Sequence, residues 1–433
     1  MRPLGVLALA ASASAASLDV LPGVDELHRV LDNRRSQVQQ RGSGFAEPLE
    51  LRLQPGQHRL TRALEITPEH GPLRFVGANG SVISGGVPVT GWTKDASSPG
   101  RWKAPIPDDF NSSGIGARMQ MWRGDTRLTL ARSPTLKYVH ANATAITFKG
   151  NDIASTYHDF PNVYLVLYES WTASMHMMSH VDESTHNAYL ASTYNAQWAN
   201  SASGSRYYVE NALEHLDTEG EYYVDHLTGS IFLQSATDPS GDTFNLAGPK
   251  ELLVLHGTPT QPLIGTEFSN VEFAHNSVED AVTNGFSGQS GDFMTMAMIH
   301  ISFAKGVVFD QCTLRATGGY AWWAEQGAYD CQLLRSTLTD LGSGAVRIGR
   351  GHAVTSTGEC EGHLVADNVM TDGGHVCQEG CGVLAQNIGN TTITHNEIGH
   401  FRYTGVSTGW TWGYAPTVVH DIVTPLHDMN ALV

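Results

Sequence analysis

Asp340, Asp372, His400 and Asp421 each close a short frame of the form polar–x–apolar–x–Asp/His, in STLTD, NVMTD, NEIGH and TVVHD. Glycoside hydrolysis needs two carboxyl groups flanking the scissile bond, one to give a proton and one to activate water or attack carbon. If the frames are successive strands of a parallel sheet, they lie about 4.8 Å apart. Carboxylates one rung apart then match a retaining pair, and two rungs apart approach the upper inverting separation. Like charges at that distance raise one another's pKa, which is how a carboxylic acid keeps its proton near neutrality. Asp and His also suit solenoid turns, because an Asp side chain bonds its local backbone. Each member of the column therefore also reads as a turn-former.

A second candidate group is aromatic. Tyr403, Trp410, Trp412 and Tyr414 stand in a run of small and polar residues, and the last three alternate, so they share one face of a strand. Trp and Tyr faces stack on sugar C–H surfaces while their polar edges bond hydroxyls. The competing reading is a stack inside the solenoid. Coil interiors are expected to be narrow and aliphatic, which favours a sugar cleft. Arg347, in GAVRIG, either projects outward as plain surface or reaches a sugar hydroxyl or a catalytic carboxylate.

The elements that must carry these groups are legible as a repeat. Cys312, Ser336, Asn368, Asn396 and Thr417 open the successive frames, at offsets of 24, 32, 28 and 21 residues. Irregular periods of this length, with short strands and a small polar residue at one inward site, indicate an all-β chain folded as a parallel β-helix. An inward column of like polar residues can bond its neighbours along the axis. Asn276 is a candidate for a further rung. Upstream, Leu27, Val30 and Leu31 mark a short cap helix within Asp25 to Gln37. The organisation read from the chain is a signal peptide at 1–16, a cap segment at 17–48 and first coils at 49–91. A β-rich insertion at 92–248 and the main solenoid at 249–433 follow.

Composition narrows the function. The net charge of −17 excludes a nucleic-acid face and disfavours strongly anionic polysaccharides unless calcium intervenes. The opening MRPLGVLALAASASAAS reads as a cleaved secretory signal. A secreted, extracellular monomer without a membrane span is therefore expected. Sequons begin at Asn79, Asn111, Asn142 and Asn390, marking a glycoprotein if the host glycosylates. Five cysteines in an oxidising compartment permit one or two disulfides. Cys377 and Cys381 with His375 lack a second well-spaced ligand pair, so no metal is assigned. No nucleophile motif, phosphate loop or dinucleotide fingerprint is present, and no cofactor is expected.

Several stretches resemble secreted right-handed parallel β-helix glycosidases. They are ISGGVPVTGWTK, LARSP, ESWTASMH, RYYVENALEHLDTEGEYYVDHLTGSIFL, GSGAVRIG, YTGVSTGWTWGY and HDMNAL, in that order over roughly residues 50 to 433. The resemblance is to glycoside hydrolase family 141, whose members are known as α-L-fucosidases and xylanases. It implies a pectin lyase-like fold, hydrolysis of a neutral or weakly acidic polysaccharide, and an essential carboxylate at Asp428. The segment like HFRYTG carries an Asp in relatives where this chain has His400, a substituted acid/base or a structural replacement. Relatives also continue beyond the motif that Asp428 to Asn430 resembles, so a truncated C-terminus is expected. The catalytic candidates are Asp372, His400 and Asp428, and the substrate-binding candidates are Arg347, Tyr403, Trp410, Trp412 and Tyr414. The rival readings are a non-catalytic carbohydrate-binding protein and a calcium-dependent polysaccharide lyase.

Overall fold

A computed structural model describes residues 16–41, 48–108, 120–194, 204–278, 285, 288–351 and 360–409. Among the described residues the regular structure is almost all strand, with one α-helix, Glu26–Arg41. The helix runs past the expected end because Val38 continues the face of Leu27, Val30 and Leu31, all four buried. That face lies on the end of the main core, closing it.

Two eight-stranded sheets and one of seven strands run through the molecule. All pairings within them are parallel, as in Phe268 beside Phe309 and Leu314 beside Leu338. The chain visits them in turn. Val308–Asp310 lies in the first sheet, Thr313–Arg315 in the second and Tyr320–Ala324 in the third, before Gln332–Leu334 re-enters the first. Each circuit is one coil, and a single apolar core is shared by all three sheets.

The frames from Cys312 to His400 lie on strands of the second sheet, and the frame at Thr417 to Asp421 lies outside the described residues. Their apolar centres Leu314, Leu338 and Met370 are fully buried, and Ile398 packs against the same core. The polar column also forms. The amide oxygen of Asn396 accepts from the backbone N–H of Asn368 at 3.0 Å and from its side-chain amide at 2.9 Å. Asn368 repeats the pattern on the Ser336 N–H at 2.9 Å, and the Ser336 hydroxyl oxygen accepts from Cys312 N–H at 3.1 Å. The column thus satisfies backbone groups that the sharp turn between the first two sheets leaves unpaired. Asn368→Leu should lower stability by about 2–4 kcal/mol, because the Ser336 N–H and the Leu333 carbonyl lose buried partners. Thr337→Val on the exposed face of the same rung should cost well under 1 kcal/mol. Urea unfolding of both variants checks this.

Two expectations about the coil need correction. Asn276 does not begin a rung; that position is held by Val271, whose carbonyl receives Thr313 N–H. Asn276 sits instead at the corner between the second and third sheets, donating to Lys250 O at 2.7 Å. The interior is also not purely aliphatic. Phe75, Phe268 and Phe309 stack face to face at 4.5 and 4.7 Å down the core, and Trp322 is buried among them. In-register parallel strands put identical side chains one rung apart, which is the spacing of stacked rings. Narrowness of the interior therefore does not by itself send Trp410, Trp412 and Tyr414 to a cleft. Those three lie outside the described residues.

All five cysteines are buried free thiols, so the permitted disulfides are not formed here. Between Ser84 and Leu253 the chain leaves the stack and, among the described residues, builds three further sheets, two of them purely antiparallel. Strands Ser81–Ser84 and Glu272–Ala274 remain direct neighbours across that excursion. Among the described residues, no helix is long and apolar enough to cross a membrane.

Candidate active site

The corner between the second and third sheets is where chemistry-bearing side chains collect. Each coil turns this corner through a residue with left-handed backbone: His275, Ala316, Asp340, Asp372 and His400, with φ between 51° and 70°. Asn, Asp and His are the side chains that best tolerate this region. The column therefore has a backbone reason to hold Asp and His, whatever its chemistry. Register puts Asp372 beside His400, as the flanking pairs Thr371–Gly399 and Gly373–Phe401 require. Asp421 and Asp428 lie outside the described residues. Behind the column, Gly342 lets successive corners touch, since a Cβ there would fall 2.1 Å from Gly318 O.

Asp340 is not a free acid. Its carboxylate accepts from Trp122 Nε1 at 2.7 Å and from Arg127 Nε at 2.5 Å. The same guanidinium reaches the carbonyls of Thr317 and Asp340 and stacks 4.7 Å over the Trp122 ring. Arg127 and Trp122 belong to the inserted sheets, so this buried pair docks the insertion on the coils.

Asp372 is open: its side chain is 54% exposed and accepts from His375 Nε2 at 2.9 Å. Burial, with the Arg127 cation beside it, holds His375 below the ordinary imidazole value. The donors that gather here are Asp340, Asp372 and His375, within 4.8 Å of one another. Since Arg127 and Trp122 already occupy Asp340, this is a poor cation cage.

A cleft of about 280 Å³ opens beside this group. Its inserted wall carries Gln120, Arg127, Arg132, Tyr208, Glu210 and Tyr222, and its coil wall carries His375, Val376, Gln378 and Arg402. At one end Gln378 Nε2 donates to the Tyr168 hydroxyl at 3.0 Å. The next residue on each chain segment is a carboxyl. Glu169 accepts from the hydroxyls of Thr172 and Ser174. Glu379 is 3% exposed, and burial, with the Glu169 charge adding to it, pushes its acid up to about 8. Beyond Glu169, Trp171 is 46% exposed. A larger cavity of 790 Å³ at the cap helix is lined by Leu18, Leu21 and Val30. Of its two carboxylates, Asp19 and Glu26, the second is already bound by Arg29.

With that geometry in place, comparison with solved structures gives a strong likeness. The fold is glycoside hydrolase-like. A protein described as a glycoside hydrolase superposes with a TM-score of 0.76 over 92% of this chain and 80% of its own, at 17% identity. At that identity the likeness speaks for the fold alone. XylC in complex with xylose matches at a TM-score of 0.47, with 10% identity over 85% of this chain and 56% of its own, too low to argue from. No protein-family model matches the chain, and comparison with curated proteins finds no match.

The remaining sequence candidates fall in different places. Tyr403 is half-buried next to the cleft residue Arg402, its hydroxyl accepting from Gln289 Nε2 at 3.1 Å. Arg347 does lie on the outer face of the third sheet, but it is 2% exposed. Its guanidinium is held by Asp292 and by the carbonyls of Asp292 and Met294, over the Trp323 ring. It lines neither the cleft nor the cap-helix cavity. Sequence reading did not single out Arg127, Arg132, Tyr208, Glu210, Glu169 or Glu379. A signal existed for four of the six: LARSP contains Arg132, ESWTASMH contains Glu169, and the long RYYVEN run contains Tyr208 and Glu210.

Proposed function

We propose that this chain is a secreted glycoside hydrolase-like protein that cleaves O-glycosidic bonds of a polysaccharide. Its coils would form a right-handed parallel β-helix of the family-141 kind. The observation that carries this reading is the cleft at the coil corner, closed on its far side by the inserted sheets and lined by His375, which bonds the open carboxylate of Asp372. Tyr208 and Tyr222 back the cleft as buried rings, and Gln378, His375 and the arginines offer donors to hydroxyls. Hydrolysis needs one acid that keeps its proton and one carboxylate that does not. Glu379 keeps its proton near neutrality, and Asp372 is the exposed carboxylate bonded to the cleft residue His375. Asp428 remains the carboxylate that the resemblance marks as essential, and Trp410, Trp412 and Tyr414 remain sugar platforms within this proposal.

The test is release of sugar from xylan and from aryl α-L-fucosides and β-D-xylosides. Asp372→Asn should reduce turnover by about 10²–10³-fold, the range expected on removing an acid–base group. His400→Asp places a second carboxylate one rung from Asp372 and should raise turnover if His400 stands for a lost acid. No sugar release from any of these substrates, with retained glycan binding, would instead support a non-catalytic carbohydrate-binding protein. That second reading is favoured by His400 itself.

A further inference from the structure

Resting on the reading that the cleft holds a glycan, we propose that it selects a sugar bearing an anionic group, a uronate carboxylate, held between Arg132 and Arg402. These two guanidiniums line the same narrow cleft from opposite walls. Both side chains are exposed, and among the described residues neither has an ion-pair partner. Both are nevertheless held in place. Arg132 lies 5.2 Å over the Tyr208 ring. The Arg402 stem runs along Gly374, whose φ of 87° and lack of a side chain leave room for it; a Cβ there would sit 3.2 Å from that stem.

A third, independent donor points the same way. Gln120 also lines the cleft and is 5% exposed. Its amide oxygen accepts from Arg127 Nη1 at 2.9 Å, which fixes the orientation of the amide. The Nε2 end is then left without a partner among the described residues. A buried donor without an acceptor costs free energy unless a ligand supplies one. Two cations outside any ion pair and one unpaired amide in a single cleft call for an acceptor-rich, negatively charged group, and planar guanidinium suits a carboxylate best. Glu221, which feels the Arg132 charge, is itself only 6% exposed. The one carboxylate in the lining, Glu210, is 4% exposed and presents little of itself. The third arginine, Arg127, is neutralised by Asp340 and adds no net attraction.

The overall charge of −17 disfavours a densely anionic polymer. It does not oppose one carboxylate on an otherwise neutral chain, because screening confines each charge to about 8–10 Å. The matched probes are a xylo-oligosaccharide with a single glucuronate branch and the same molecule with that carboxyl reduced to the alcohol. Calorimetric titration of the full chain should show the charged form binding about tenfold tighter or more. Arg132→Gln with Arg402→Gln should erase most of that preference, and since both side chains are exposed the melting temperature should hardly move. Equal binding of the two probes, or a preference that survives the double substitution, overturns the proposal while leaving the glycan reading intact. A sulfated galacto-oligosaccharide that outcompetes the glucuronate probe overturns the carboxylate as the source of the anion. Binding of none of these sugars removes the underlying reading as well.

Discussion

Glu379→Gln is expected to make the protein more stable at pH 8 while leaving it almost unchanged at pH 5. Glu379 sits in the corner loop that follows Asp372, 3% exposed, with Oε2 unpartnered among the described residues. Burial disfavours its charged form and raises the acid from the ordinary 4.5 to about 8. The folded chain therefore keeps a proton that the unfolded chain has released between about pH 4.5 and 8. Where the unfolded state binds fewer protons, stability falls as pH rises, by about 1.4 kcal/mol per unit for one group. Wild type should lose stability across this window relative to the variant, with the difference reaching about 3–5 kcal/mol at pH 8 and levelling off above it. At pH 5 the neutral acid and the amide are close in shape and polarity, so the curves should meet. Urea unfolding of both proteins at half-unit pH steps measures this directly. Parallel curves would mean that Glu379 is ionised in the folded protein, and the proton donor in the proposed mechanism would have to be sought elsewhere.

What the sequence revealed and what it hid follow from the range of the interactions involved. The frames around Ser336, Asn368 and Asn396 were legible because each coil repeats one local problem. A turn with a left-handed residue leaves N–H groups unpaired, and a small polar side chain one rung away answers them. The helix was legible because its buried face obeys a fixed period. Asp340, by contrast, looks in sequence like Asp372, and only its partners separate the two. Trp122 and Arg127 are more than two hundred residues away along the chain, on strands with no periodic relation to the coils. The cleft has the same origin, one wall being the insertion and the other the corner loops. No pattern within either segment announces that they meet. Charge misled for a similar reason: the total of −17 is a sum over the whole surface, whereas Arg132 and Arg402 act within one cleft.

Arg347→Met should be among the most damaging single substitutions in the coils, through stability rather than through sugar binding. The guanidinium and the Asp292 carboxylate are only 3% and 1% exposed, with Nη2 at 2.9 Å from Oδ1. Nη1 also donates to Met294 O at 2.5 Å, Nη2 to Asp292 O at 3.0 Å, and the plane rests 4.2 Å over the Trp323 ring. One side chain thus ties the segment Asp292 to Met294 to the outer face of the third sheet. Methionine matches the stem but leaves a buried carboxylate without its counter-charge and two carbonyls short of donors. Breaking such a pair from one side costs about 3–5 kcal/mol. Arg347→Lys should recover only part of this loss, because a point charge cannot reach three acceptors along a planar fork. If Arg347 instead served the sugar, Arg347→Met would melt like wild type and lose glycan affinity alone. Asp292→Asn separates the two cases further. It removes the charge while keeping the shape, so under the structural account it should destabilise nearly as much as Arg347→Met. Under a binding account the Asp292 change should leave unfolding in place, since the arginine would be held by its ligand.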